Sequence, residues 1–125
     1  TYGQQRVIQA KQQYDQAVVL YNERRFEQAF ELFTQAFDLD PLEYTYALNI
    51  GFSLYENGKY EQAVTYFKMA GNSKKSVVKE KAMRYKGLSL YGMGSQSESC
   101  AVFLKLLNTY PKRMYQQEYK KYCGN

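Results

Sequence analysis

Apolar residues recur at spacings of three and four along almost the whole chain, as in Phe26, Ala29, Phe30, Phe33, Ala36 and Phe37. That spacing lines one face of an α-helix. No stretch sustains the alternation of a half-buried strand. The two prolines, Pro41 and Pro111, follow long periodic stretches, where a helix stops. Gly58 and Gly94 stand where a left-handed residue ends a helix. The pattern predicts an all-α chain of seven helices, over 3–22, 26–39, 43–57, 60–71, 76–92, 96–109 and 112–122.

The pattern also repeats. In the segments YNERRFEQAFELF (Tyr21 to Phe33) and YENGKYEQAVTYF (Tyr55 to Phe67), Tyr21, Phe26, Glu27, Gln28, Ala29 and Phe33 map onto Tyr55, Tyr60, Glu61, Gln62, Ala63 and Phe67, every step being 34 residues. A third, weaker copy, YGMGSQSESCAVF, starts 36 residues later at Tyr91, with the insertion placed in GNSKKS, Gly71 to Ser76. Helices 3–22/26–39, 43–57/60–71 and 76–92/96–109 then form three hairpins, and helix 112–122 covers the open end of the stack. Self-similarity at such a period marks a repeat architecture whose terminal elements act as caps.

The small and aromatic positions carry a family resemblance. The first unit has Ala17, Phe26, Ala29, Phe33, Ala36 and Pro41; the second has Gly51, Gly58, Tyr60, Ala63, Phe67 and Ala70; the third retains Gly87, Gly94, Phe103 and Pro111. Small residues let paired helices approach, aromatics fill the space between hairpins, and proline ends the second helix. Over roughly residues 10–111 the chain resembles the tetratricopeptide repeat (TPR), a 34-residue helix–turn–helix unit. The resemblance implies a right-handed superhelix of three hairpins, units about 10–43, 44–77 and 80–113, within one domain spanning 1–125. Departures fall at Arg24, in place of the turn glycine, and at Gln96, Ser99 and Leu106, so the third hairpin is expected to pack least regularly.

What the resemblance implies about function is protein binding, with the first helix of each unit lining a concave groove. Carried onto this sequence, the groove positions include Tyr14, Tyr21, Asn49, Phe52, Tyr55, Lys81, Arg84, Tyr85, Leu88 and Tyr91. Rigid amphipathic rings bury area at low entropic cost, which suits a wall for a peptide. Roughly half of these rings are expected to be exposed, the rest packing between helices. Chaperone co-factors of the family hold a C-terminal carboxylate with five polar residues. Here only Asn49 and Lys81 match, while Tyr14, Val18 and Tyr85 occupy the other three places, so that clamp is not expected.

Gly87 to Lys112, including Cys100 and the closing TYP, is similar to the last repeat of the periplasmic TPR protein of the bacterial Tol-Pal envelope system. This resemblance implies an adaptor in the cell envelope and favours the periplasm over the cytoplasm. It covers one unit.

Composition changes the picture in three ways. Fourteen Tyr and seven Phe with no Trp make much of the core aromatic. No apolar run approaches the roughly 18 residues that would suggest a membrane span. The net charge of +5 hides an asymmetry: residues 1–62 carry five Lys/Arg against nine Asp/Glu, and residues 63–125 carry twelve against three. A basic half of this kind suits an acidic partner, an anionic polymer or another copy's acidic half, which would be self-association. RNA, which some helical-hairpin repeats read base by base, or another single-stranded nucleic acid is therefore the alternative to a protein partner, with KRMYQQEYKKY (Lys112 to Tyr122) combining cations and rings; the acidic first half opposes it.

With no histidine, the commonest general base and metal ligand is missing. Two cysteines make a poor zinc set, and GMG at Gly92–Gly94 follows a helix rather than a strand, so it is no phosphate-binding loop. Neither an enzyme, a metal nor a cofactor is expected. Cys100 and Cys123 leave two readings. Their helices run antiparallel across a short turn, which brings the two to similar heights and allows a disulfide. Alternatively, Cys100 is a buried free thiol and Cys123 lies in a frayed end.

Overall fold

The computed structural model describes residues 1–124. Among these are seven helices and no strand: α1 Tyr2–Asn22, α2 Phe26–Leu39, α3 Tyr44–Glu56, α4 Tyr60–Ala70, α5 Ser76–Gly92, α6 Gln96–Thr109 and α7 Arg113–Cys123. Each lies within one residue of the range expected from the pattern. Two starts are fixed by side chains. Thr1 and Gln4 form a reciprocal capping box on α1, and the Glu43 carboxylate accepts from the Thr45 N–H at the start of α3.

The three elbows share one geometry. Arg24, Gly58 and Gly94 have φ of 64°, 76° and 82°. After each, the next N–H reaches back five residues: Arg25 to the Leu20 carbonyl, Lys59 to Leu54, Ser95 to Leu90, at 2.8–2.9 Å. The left-handed residue directs that N–H to the last free carbonyls of the helix. Arg24 therefore holds the conformation that glycine supplies in the later copies, and its guanidinium lies 5.4 Å from the Phe26 ring.

Phe33, Phe67 and Phe103 occupy equivalent places in α2, α4 and α6, and each is at most 1% exposed. The facing small residues give them room. A Cβ on Gly51 would lie 2.5 Å from the Phe67 ring, and one on Gly87 3.0 Å from Phe103. Two departures in the third unit are absorbed into the core: Leu106 is fully buried, and the buried Ser99 hydroxyl donates to the Gly87 carbonyl at 2.8 Å.

Helix α7 is tied along its length. Tyr115 is buried with Phe103 and Leu106. Arg84 of α5 makes a two-pronged contact with Glu118, its shortest N–O distance 2.8 Å. Lys112 and the Tyr115 hydroxyl both donate to Glu80. Cys100 and Cys123 are joined in a disulfide, Cα–Cα 5.6 Å. The reading of a free Cys100 and a frayed Cys123 is thereby corrected, because the antiparallel packing of α6 and α7 brings the two residues level. Closing this loop is worth about 3 kcal/mol in the chain-entropy model.

Candidate functional site

The concave face is built by α1, α3 and α5. Seven-residue steps along α1 place Tyr14 and Tyr21 on the same side, and Phe52 and Tyr85 come from the next two first helices. With Val18 and Asn49 they line a cavity of about 270 Å³, which Asn22 and Phe33 complete. Phe52 and Tyr85 also border a second cavity of about 400 Å³, whose further walls include Val77, Lys81, Arg84, Met114 and Tyr115. Phe52 and Tyr85 belong to both walls, so the two cavities adjoin along the concave face and together form the trough.

The rings lean on one another. Phe52 meets Tyr85 edge-on at 4.8 Å and Tyr55 meets Tyr85 at 5.5 Å, while Tyr14 sits 5.7 Å from Phe33 and 5.0 Å from Tyr46. The first two pairs are edge-to-face and the Tyr14 pairs tilted, and such contacts fix ring orientation as well as adding packing energy. Burial, with Glu56 beside it, pushes the Tyr21 hydroxyl up to about 12. Burial first, and then Tyr60, also raises Tyr55. Both therefore stay neutral and able to donate far above physiological pH.

The expectation that half of these rings are exposed needs correcting. Tyr14, Tyr21, Phe52, Tyr55 and Tyr85 are half-buried, and only Tyr91, at 43%, is exposed. A ring on a first helix folds against the second helix behind it, as Tyr55 does on Tyr60. Tyr91 and Leu88 line neither cavity. Tyr91 packs edge-on to Tyr122 at 4.7 Å, and Leu88 joins the cluster of Phe103, Leu106 and Tyr115. The Asn49 amide donates to the Thr45 carbonyl of its own helix at 2.8 Å. Of the basic corner, Arg84 is taken by Glu118, whereas Lys81 is exposed.

Val77, Glu80, Met114 and Tyr115 were not anticipated in the trough. A signal was present: one further 34-residue step carries Lys81 and Arg84 onto Tyr115 and Glu118, so α7 extends the wall as a fourth first helix. Phe33, a second-helix residue, was missed because its side chain reaches between α1 and α3.

Sequence models of the tetratricopeptide repeat match residues 42–72 and 81–113, together just over half of the chain. The chain belongs to the tetratricopeptide-repeat family. No curated protein matches it. Among solved structures, the first TPR of Spaghetti (RPAP3) bound to the HSP90 peptide SRMEEVD superposes with a TM-score of 0.83. It is 16% identical, over 94% of this chain and 92% of that one. The second TPR domain of human RPAP3, in complex with the HSP70 peptide SGPTIEEVD, gives 0.82 at 21% identity, over 98% and 99%. The N-terminal domain of stress-induced protein-1 from C. elegans gives 0.82 at 20%, over 93% and 95%. These likenesses establish the fold: stacked TPR hairpins in a superhelix, ended here by α7.

Proposed function

We propose that this TPR chain is a non-enzymatic interaction module that binds a segment of another protein in its concave trough. The observation that carries the reading is the pair of adjoining cavities sharing Phe52 and Tyr85, the smaller walled mainly by aromatic rings and the larger mixing rings with the charged Glu80, Lys81, Arg84 and Lys112. Such a lining suits an extended peptide that inserts an apolar side chain between rings and bonds through its backbone to amides such as Asn22. Two structural relatives are complexes with peptides ending in EEVD. Their mode of recognition is not carried over: Tyr14, Val18 and Tyr85 leave no set of cations and amides to hold a terminal carboxylate. Instead the trough selects for side chains, and among the described residues Lys81 is its cation without an ion pair. Nucleic acid gains no support, since a stacking platform needs exposed rings beside free cations, and the trough's rings are half-buried beside a neutralised Arg84.

The disulfide supports an oxidising compartment. With the likeness of Gly87–Lys112 to an envelope protein's repeat, it favours the periplasm as the site of action.

The test is selection from a displayed peptide library, followed by affinity measurements on the winning peptide with free and amidated C-termini. The two termini should bind alike. Val18→Arg, which places a charge in the smaller cavity, should weaken binding at least tenfold, with Asn22→Arg as a second variant at an exposed position. A preference for the free carboxylate, or full affinity in both variants, would contradict this mode.

A further inference from the structure

A third cleft, on the outer face between α4, α5 and α6, has no counterpart in the trough. It encloses about 430 Å³, and four lysines line it: Lys68, Lys79, Lys86 and Lys105. None of the four forms an ion pair among the described residues. In the same half Lys75 pairs with Glu43 and Lys112 with Glu80. Lys74, Lys81, Lys120 and Lys121, like the four in the cleft, form no ion pair among the described residues. What sets the four apart is that they line one cleft. Like charges gathered without counter-charge destabilise the compact state, and a cleft lined by one sign of charge concentrates ligands of the opposite sign.

Magnitudes support a surplus of charge. The carboxylate that acts on Lys86 is Glu98, and its effect is smaller than those of burial, Lys68 and Lys105. The carbonyl ends of α4 and α6, near Ala70 and Thr109, add about half a negative charge each. The cleft therefore keeps an excess on the order of two positive charges. Burial first, then the charges of Lys68 and Lys105, hold the Lys86 ammonium below the usual lysine range. The other walls include Asn72, Thr109 and Tyr110, which can donate hydrogen bonds, and Met83. Ammonium groups act as mobile point charges, unlike the fixed fork of arginine, so they suit several adjacent phosphate oxygens more than one planar carboxylate.

We propose that this outer cleft binds a small, multiply charged phosphate compound, carrying two or three linked phosphates, independently of the concave trough. Such a group could come as free polyphosphate or as the phosphate chain of a nucleotide, and the volume falls within the range of small-ligand sites.

The probe is sodium tripolyphosphate, titrated calorimetrically into the disulfide-bonded protein at low ionic strength, with ATP in a parallel arm. Saturable binding near one per chain is expected, weakened roughly tenfold or more by Lys68→Gln with Lys105→Gln. Both lysines are exposed, and Lys79→Gln gives a second variant of milder effect. Equal affinity for the two probes identifies free polyphosphate as the source, and tighter binding of ATP identifies a nucleotide. No saturable binding would overturn the proposal. So would a loss no greater in the cleft variants than in Lys74→Gln with Lys121→Gln, which removes the same charge elsewhere.

Discussion

At the scale of single residues, the repeated glycines separate two physical roles. Gly51 is needed for space, because Phe67 is packed against it in the core. Gly58 is needed for its backbone angle, since nothing lies within 4 Å of where a Cβ would stand. Gly87 faces Phe103 at a slightly looser distance. In urea denaturation, Gly51→Ala should cost about 2 kcal/mol after its gain in helix propensity. Gly58→Ala should cost about 1 kcal/mol from positive φ alone, and Gly87→Ala should stay within about 0.5 kcal/mol, propensity offsetting the tight contact. Equal costs at Gly51 and Gly87 would mean that the two hairpins are packed alike. Gly92 shows the limit of reading roles by phase. Repeat position puts it in the groove, yet it is the seat of the Tyr60 ring, 2.8 Å from where its Cβ would be.

Among the elements, α7 is held by a disulfide to α6, an ion pair to α5 and the burial of Tyr115. In a stack where each hairpin touches only its neighbours, loosening the end should leave the start intact. Reducing the disulfide should therefore lower stability by about 3 kcal/mol and speed amide exchange in α7 first, with α1 to α4 little changed. Uniform acceleration along the chain would contradict that picture. Glu80 adds a dependence on pH. Hydrogen bonds from Lys112 and Tyr115 hold its carboxyl below its ordinary value of 4.5, against the smaller opposing effect of burial. A carboxyl lowered on folding stabilises the fold above its unfolded pKa, and this contribution disappears as pH falls through the folded value. Melting temperature should thus drop more steeply below about pH 4.5 in the native chain than in Glu80→Gln. Parallel acid limbs would exclude Glu80 as the clamp.

The whole molecule was legible in the sequence to different depths. Helix ranges and elbows follow from local pattern and backbone chemistry, so Arg24 could be placed at a left-handed turn by its register with Gly58. The trough was half legible. Tyr14, Tyr21, Asn49, Phe52 and Tyr85 meet at one cavity, but how far each ring tilts onto the helix behind depends on contacts that repeat phase does not encode. The pairs that decide the basic corner, Arg84 with Glu118 and Glu80 with Lys112, lie 34 and 32 residues apart and join α5 to the cap. Charge counts over half-chains could not separate these satisfied cations from the four lysines that line the outer cleft without an ion pair among the described residues.

The central claim is that a protein segment occupies the concave trough. The most direct measurement is amide chemical-shift mapping of the ¹⁵N-labelled, disulfide-bonded chain during titration with a peptide selected against it. The account predicts that the largest shifts fall on α1, α3 and α5 around Val18, Asn49, Phe52 and Tyr85. Shifts confined to the outer faces of α2, α4 and α6, with these residues unmoved, would contradict it.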